Sequence, residues 1–250
     1  MFEYTGSRVA FSLFGIDVYW YGILIVIGMV LAIYLSSKEL EKNGQNPEII
    51  NDLALWVLPA AIIGARLWYV IFEFQRFDNI YDIINVRDGG LAIHGGVIAG
   101  VIVGYIYAKI KNIKFFKTTD IISTYVPIAQ AIGRWGNFIN NEAHGGETNL
   151  PWALIIEGKK YHPTFFYESM GNIILFLIIY FIVKKGKKTT GMETASYLIG
   201  YGIIRFFVEG LRTDSLWVGP FRVAQLISIV FIILGLIILS LSKNKKLENI

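Results

Sequence analysis

Hydrophobic positions along this chain gather into runs of about 20 residues separated by polar stretches, a spacing that suits membrane-spanning helices. Clear runs occupy residues 19–37, 53–74, 91–108, 164–183, 192–208 and 221–241. A less regular run, 121–138, holds Pro127, Gln130, Gly133 and Arg134. A helix facing lipid does not carry that polar load, so part of this segment is expected to line a protein cavity. The pattern predicts an all-α integral membrane fold of about seven transmembrane helices. We read 1–250 as a single polytopic membrane domain, with an outer loop at about 139–163 that carries Gly145, Gly146 and Pro151. A loop of about 25 residues is long for a connector and suits a functional role. No internal repeat, linker or low-complexity tract breaks the chain.

The loop charges give an orientation. Lys38 and Lys42, then Lys109, Lys111, Lys114 and Lys117, then Lys184, Lys185, Lys187 and Lys188, and finally Lys243, Lys245 and Lys246 all fall on one side. The other side holds fewer: Arg8, Arg76, Arg87, Lys159, Lys160, Arg212 and Arg222. Basic loops stay inside, so the C-terminus is expected in the cytoplasm and the N-terminus outside. Residues 1–8 place an acidic residue before the first basic one, unlike a secretory signal, so the first span is expected to be retained.

Composition agrees. Apolar residues are 54% and charged residues 17% of the chain, with a mean hydropathy of +0.53. Soluble domains average about 45–50% and about 25%, so a large core does not explain the excess. The 15% aromatic share suits interfacial belts. The absence of cysteine excludes disulfides, thiolate metal sites and a thiol nucleophile of the chain's own. The net charge of +4 matters through its placement. No G-x-G-x-x-G or G-K-[ST] loop is present, the three histidines have no metal-binding spacing, and neither a metal nor a nucleic-acid partner is expected.

Arg66, Arg134 and Arg205 fall inside predicted spans. A charge at the bilayer centre costs roughly 2.5–3.5 kcal/mol on insertion scales, so each needs a partner or a task. One reading is snorkelling or a structural ion pair; the other is an anion site. Tyr201, Arg205, Glu209 and Arg212 follow one another at spacings of four, four and three, on one helical face. That face is either an ion-pair ladder or a phosphate clamp whose arginines are oriented by Glu209. His94, between glycine pairs in Gly89-Gly90-Leu91-Ala92-Ile93-His94-Gly95-Gly96, is a candidate base or an ordinary interfacial histidine. The polar stretch from Gly133 to Glu142, with Arg134, Asn137, Asn140 and Asn141, is the densest of these features.

That stretch, Gly-Arg-Trp-Gly-Asn-Phe-Ile-Asn-Asn-Glu followed by Gly145, resembles the signature of the bacterial prolipoprotein diacylglyceryl transferases. Trp20-Tyr21-Gly22, the His94 motif, His162-Pro163-Thr164 with Tyr167-Glu168, and Tyr201-Gly202 with Arg205, Glu209 and Arg212 resemble further motifs of that family, in its order. The resemblance covers nearly the whole chain. Tyr19 replaces a histidine of some members, and Ala143-His144 departs from an aromatic sometimes found there.

The resemblance implies a reaction and its partners. A diacylglyceryl group would pass from phosphatidylglycerol to the lipobox cysteine thiol of a prolipoprotein signal peptide, forming a thioether and releasing glycerol 1-phosphate. The setting would be the outer leaflet of the bacterial cytoplasmic membrane, with no cofactor. The nucleophile belongs to the substrate, so a chain without cysteine is suited to the task. Arg134, assisted by Asn137, would bind the phosphate; Arg205, held by Glu209, would stabilise its departure; Arg212 would gather the head group. His94 or a nearby carboxylate would help deprotonate the thiol, whose ordinary pKa is about 8.5. Tyr21 and Tyr201 would shape the pocket, and Asn140, Glu142 and Gly145 would complete it or hold the loop. The alternative is a transporter or channel with an anion site.

Overall fold

The computed structural model describes residues 1–77, 79–86, 89–186 and 189–247. Arg87 and Asp88, beside the His94 motif, and the basic residues Lys187 and Lys188 lie outside them. In chain order the elements are β1 (Phe2–Glu3), β2 (Val9–Leu13), β3 (Ile16–Tyr19), α1 (Trp20–Lys42), α2 (Glu48–Phe72), α3 (Ile80–Ile84), α4 (Ile93–Ile110) and α5 (Phe115–Asn140). There follow β4 (Leu154–Ile156), β5 (Lys159–Tyr161), α6 (Thr164–Ile178), α7 (Met192–Leu211), β6 (Trp217–Val218), β7 (Phe221–Arg222) and α8 (Val223–Lys243). A π-helical turn, Ile179–Val183, continues α6.

The protein is mostly helical. Among the described residues, five stretches are long and apolar enough to cross a membrane: α1, α2, α4, α6 with its π-helical turn, and α8. Helices α5 and α7, 26 and 20 residues long, fall outside that set. They carry the polar motifs. α5 runs unbroken through Pro127, Gly133 and Gly136 to Asn140, so the irregular run predicted at 121–138 is a longer helix. Left-handed residues at Asn141 and Ala143 then turn the chain into the long loop.

Short strands complete the helical plan. β2 and β3 form a hairpin through Phe14 and Gly15, both at positive φ, and β4 and β5 form another through Glu157 and Gly158. Two positive-φ residues give the turn whose twist matches the flanking strands. β1 adds to β4 in parallel, and β6 pairs with β7. These strands span two to five residues, too few for an alternating pattern to stand out in the sequence.

The described residues divide into two compact units: 37–118, and 1–36 with 119–247. In the unit of 37–118, α2 packs on α4 through glycines. A Cβ on Gly95 would lie 2.2 Å from the carbonyl oxygen of Gly64, so only glycine allows the helices to come this close. Arg66, on α2, is 8% exposed and has no carboxylate partner among the described residues. Its guanidinium donates to the carbonyls of Ile83 (2.8 Å) and Asp82 in α3 and of Gly89 (2.8 Å) and Gly90 (2.9 Å) before α4.

In the other unit, α7 packs on α8 with Gly202 against the Ser228 carbonyl and Gly235 against the Ala195 carbonyl. Buried Asp120 of α5 accepts from the backbone N–H of Gly191 (2.6 Å) and Thr194 (2.9 Å) and from the Thr194 hydroxyl (2.7 Å). Free donors at a helix start need such an acceptor, and Gly191 has no side chain to supply one. At the other end of α5, Phe138 stacks on Phe165 at 4.9 Å, and Phe2 lies edge-on to Trp135, Phe138 and Phe165. These contacts fix where α5, α6 and α7 run beside one another.

Candidate active site

The centre of the site is Glu168, in the second turn of α6 and 2% exposed. Its Oε1 is 2.6 Å from Nη2 of Arg134 on α5. Its Oε2 accepts from Nη1 of Arg205 on α7 at 3.0 Å. The Tyr201 hydroxyl donates to Oε1 at 3.3 Å. One buried carboxylate thus holds two guanidiniums from two other helices. The other amino group of Arg205 donates to Glu209 at 2.7 Å, the pair expected from the four-residue spacing on α7.

Exposure decides which groups a ligand meets. The side chains of Arg134 and Arg205 are 23% and 17% exposed, while those of Glu168 and Glu209 are 2% and 3%. The carboxylates are sealed and the cations reach out, so the accessible chemistry is that of an anion site.

A second set of contacts steadies Arg134. Its Nη1 points to Oδ1 of Asn137 at 3.5 Å, and its Nη2 lies 3.5 Å from the Tyr201 hydroxyl. The Asn137 amide donates to Glu142 at 2.9 Å, and Asn140 donates to the same oxygen at 3.2 Å. Glu142 therefore ties the end of α5 to the loop that follows. Tyr21 packs on Gly136 so closely that a Cβ there would lie 2.2 Å from the ring. Tyr197 stacks on Tyr201 at 5.9 Å and receives a bond from Gln130 at 3.0 Å. Trp135 donates to Ser169 at 3.2 Å, and Ser169 to the Ala131 carbonyl at 2.9 Å, pinning α6 to α5 beside Glu168.

Arg212, just past α7, grips Asp214 with both arms at 2.9 and 2.7 Å and stands 4.0 Å from Glu209. The guanidinium holds the Asp214 carboxyl below its ordinary pKa. Gly145 forms a backbone bridge with Arg212, and its N–H donates to the His162 carbonyl at 2.9 Å. A Cβ on Gly145 would sit 2.7 Å from that of His162, which explains a glycine there. Arg222 donates to the backbone carbonyl of Glu209 and lies over the Trp217 ring at 5.0 Å.

The structure thus brings Arg134, Asn137, Tyr201, Arg205 and Glu209 together, with Asn140, Glu142, Arg212 and Gly145 in the adjoining contacts. His94 lies in the first turn of α4, in the unit of 37–118. Sequence reasoning missed two carboxylates. Glu168 stood in a motif without a role, although it is the single charged residue of the run 164–183, a signal in itself. Asp214 gave no comparable signal.

Comparison with known proteins gives a consistent answer. The family model for prolipoprotein diacylglyceryl transferase matches residues 8–241. A phosphatidylglycerol–prolipoprotein diacylglyceryl transferase of Finegoldia magna is 53% identical, covering 93% of this chain and 94% of its own length. One of Clostridioides difficile is 49% identical, covering 96% and 97%. A third, from Clostridium perfringens, is 44% identical over 96% and 97%. With a match that extends over nearly all of its length, the chain belongs to the prolipoprotein diacylglyceryl transferase family.

Proposed function

We infer that this protein is a phosphatidylglycerol–prolipoprotein diacylglyceryl transferase that acts on the lipobox cysteine of prolipoproteins. The observation that carries the mechanism is the pair of partly exposed guanidiniums held on Glu168 at 2.6 and 3.0 Å. The substrate thiolate forms a C–S bond to the glyceryl carbon while the C–O bond to phosphate breaks. The leaving glycerol 1-phosphate takes that electron pair, so negative charge grows on its phosphate oxygens. Preorganised cations aimed at developing charge lower such a barrier. Arg134, backed by Asn137, binds the phosphate, and Arg205, backed by Glu209, follows the charge as it departs. Arg212 gathers the head group, exchanging Asp214 for it. The thiol proton passes to His94 or a nearby carboxylate, a role that rests on the sequence motif.

In this reading α5 and α7 also cross the bilayer, giving seven spans in one polytopic domain with the N-terminus outside. The site then faces the outer leaflet of the cytoplasmic membrane, where phosphatidylglycerol and a translocated signal peptide meet. The test is direct. Purified protein mixed with phosphatidylglycerol and a lipobox peptide is expected to yield the thioether by mass spectrometry. Arg134→Ala and Arg205→Ala are each expected to reduce the rate by about a hundredfold or more, the scale for removing one transition-state donor. Wild-type rates in both variants would sink the assignment.

A further inference from the structure

We propose that Glu168 is a positioning residue that also limits how tightly phosphate is held, competing with it for Arg134 and Arg205 and so favouring product release. The proposal rests on the transferase reading above. The substrate is a phosphodiester with one negative charge. The leaving monoester carries about −1.5 to −2 at pH 7. Two guanidiniums alone would therefore bind the product better than the substrate and stall turnover. Glu168 supplies the counterweight. Both its oxygens lie on the guanidiniums, at 2.6 and 3.0 Å, and its 2% exposure keeps water from replacing it. An anion arriving on the exposed sides of Arg134 and Arg205 meets that carboxylate's charge at short range. Because the repulsion scales with the anion's own charge, it weakens the product more than the substrate.

The experiment measures thioether formation by the purified full-length protein, wild type, Glu168→Gln and Glu168→Asp. Glycerol 1-phosphate and, separately, inorganic phosphate serve as inhibitors. Glutamine keeps the shape and removes the charge. Its inhibition constants are expected to fall on the order of tenfold, with a smaller fall in KM for phosphatidylglycerol and a lower kcat. Aspartate keeps the charge but is too short to reach both arginines. It is expected to lose kcat without tighter inhibition. Calorimetric binding of glycerol 1-phosphate gives the same comparison for a variant without turnover. Unchanged phosphate affinity in Glu168→Gln overturns the proposal, as does equally tightened affinity in Glu168→Asp. If wild-type protein forms no thioether, the transferase reading fails instead.

Discussion

Among the individual residues, Arg134 and Arg205 differ from Arg66 in what holds them. Arg66 spends its donors on carbonyls of α3 and of the two glycines before α4, and a lysine, with a single ammonium, could not span four of them. Arg134 and Arg205 spend part of their forks on Glu168 and present the rest. Arg134→Lys and Arg205→Lys are therefore expected to retain charge yet lose at least about tenfold in kcat/KM, because the planar fork is gone. Full activity in steady-state assays of the lysine variants would point to a simple point charge. His94→Asn tests the proton acceptor: the acid limb of the pH–rate profile is expected to vanish. A lowered rate with the limb intact would assign His94 a structural task. The spacing of Arg205 and Glu209 made their pairing legible in the sequence, since both lie on one helix. Glu168 was not legible as the hub, because its partners come from α5 and α7 and only the packed fold joins them.

For the helices, what matters is the alignment of α5 with α7. Arg134 and Arg205 reach the same carboxylate only if the two helices keep their relative height. Asp120 sets that height at the opposite end of α5, by holding the first N–H groups of α7. Asp120→Ala strands these donors in a buried place and is expected to cost about 2–3 kcal/mol, read as a lower Tm of the detergent-purified protein. Activity is expected to fall with it although the substitution lies far along the helix from Arg134; an unchanged Tm would remove Asp120 from this account. Runs of apolar residues made the helices legible, and even the polar Gly133 to Glu142 stretch stayed helical to Asn140. The hairpins escaped notice because pairs such as Glu157-Gly158 turn strands of only three residues.

For the whole molecule, the chain's lack of cysteine is an experimental asset. Any single cysteine introduced is the only target for a membrane-impermeant maleimide. In intact spheroplasts Lys160→Cys is expected to label and Lys185→Cys is not, until the membrane is opened. The reverse pattern would invert the orientation drawn from the lysine-rich loops.

The three-helix arrangement around Glu168 also constrains how the protein is made. Helices leave the ribosome in order, and α5 emerges with Arg134 before α6 brings the carboxylate that neutralises it. If α5 crosses the bilayer as proposed, an unpaired arginine there costs roughly 2.5–3.5 kcal/mol, and α5 falls outside the set of helices apolar enough to offset it. α7 arrives after α6, with Arg205 already paired to Glu209 on the same helix. In that reading the apolar α6 is the helix that lets α5 settle, with Glu168 neutralising Arg134 as it arrives. A nascent chain halted after α5 should leave that helix poorly seated, and the arrival of α6 should secure it.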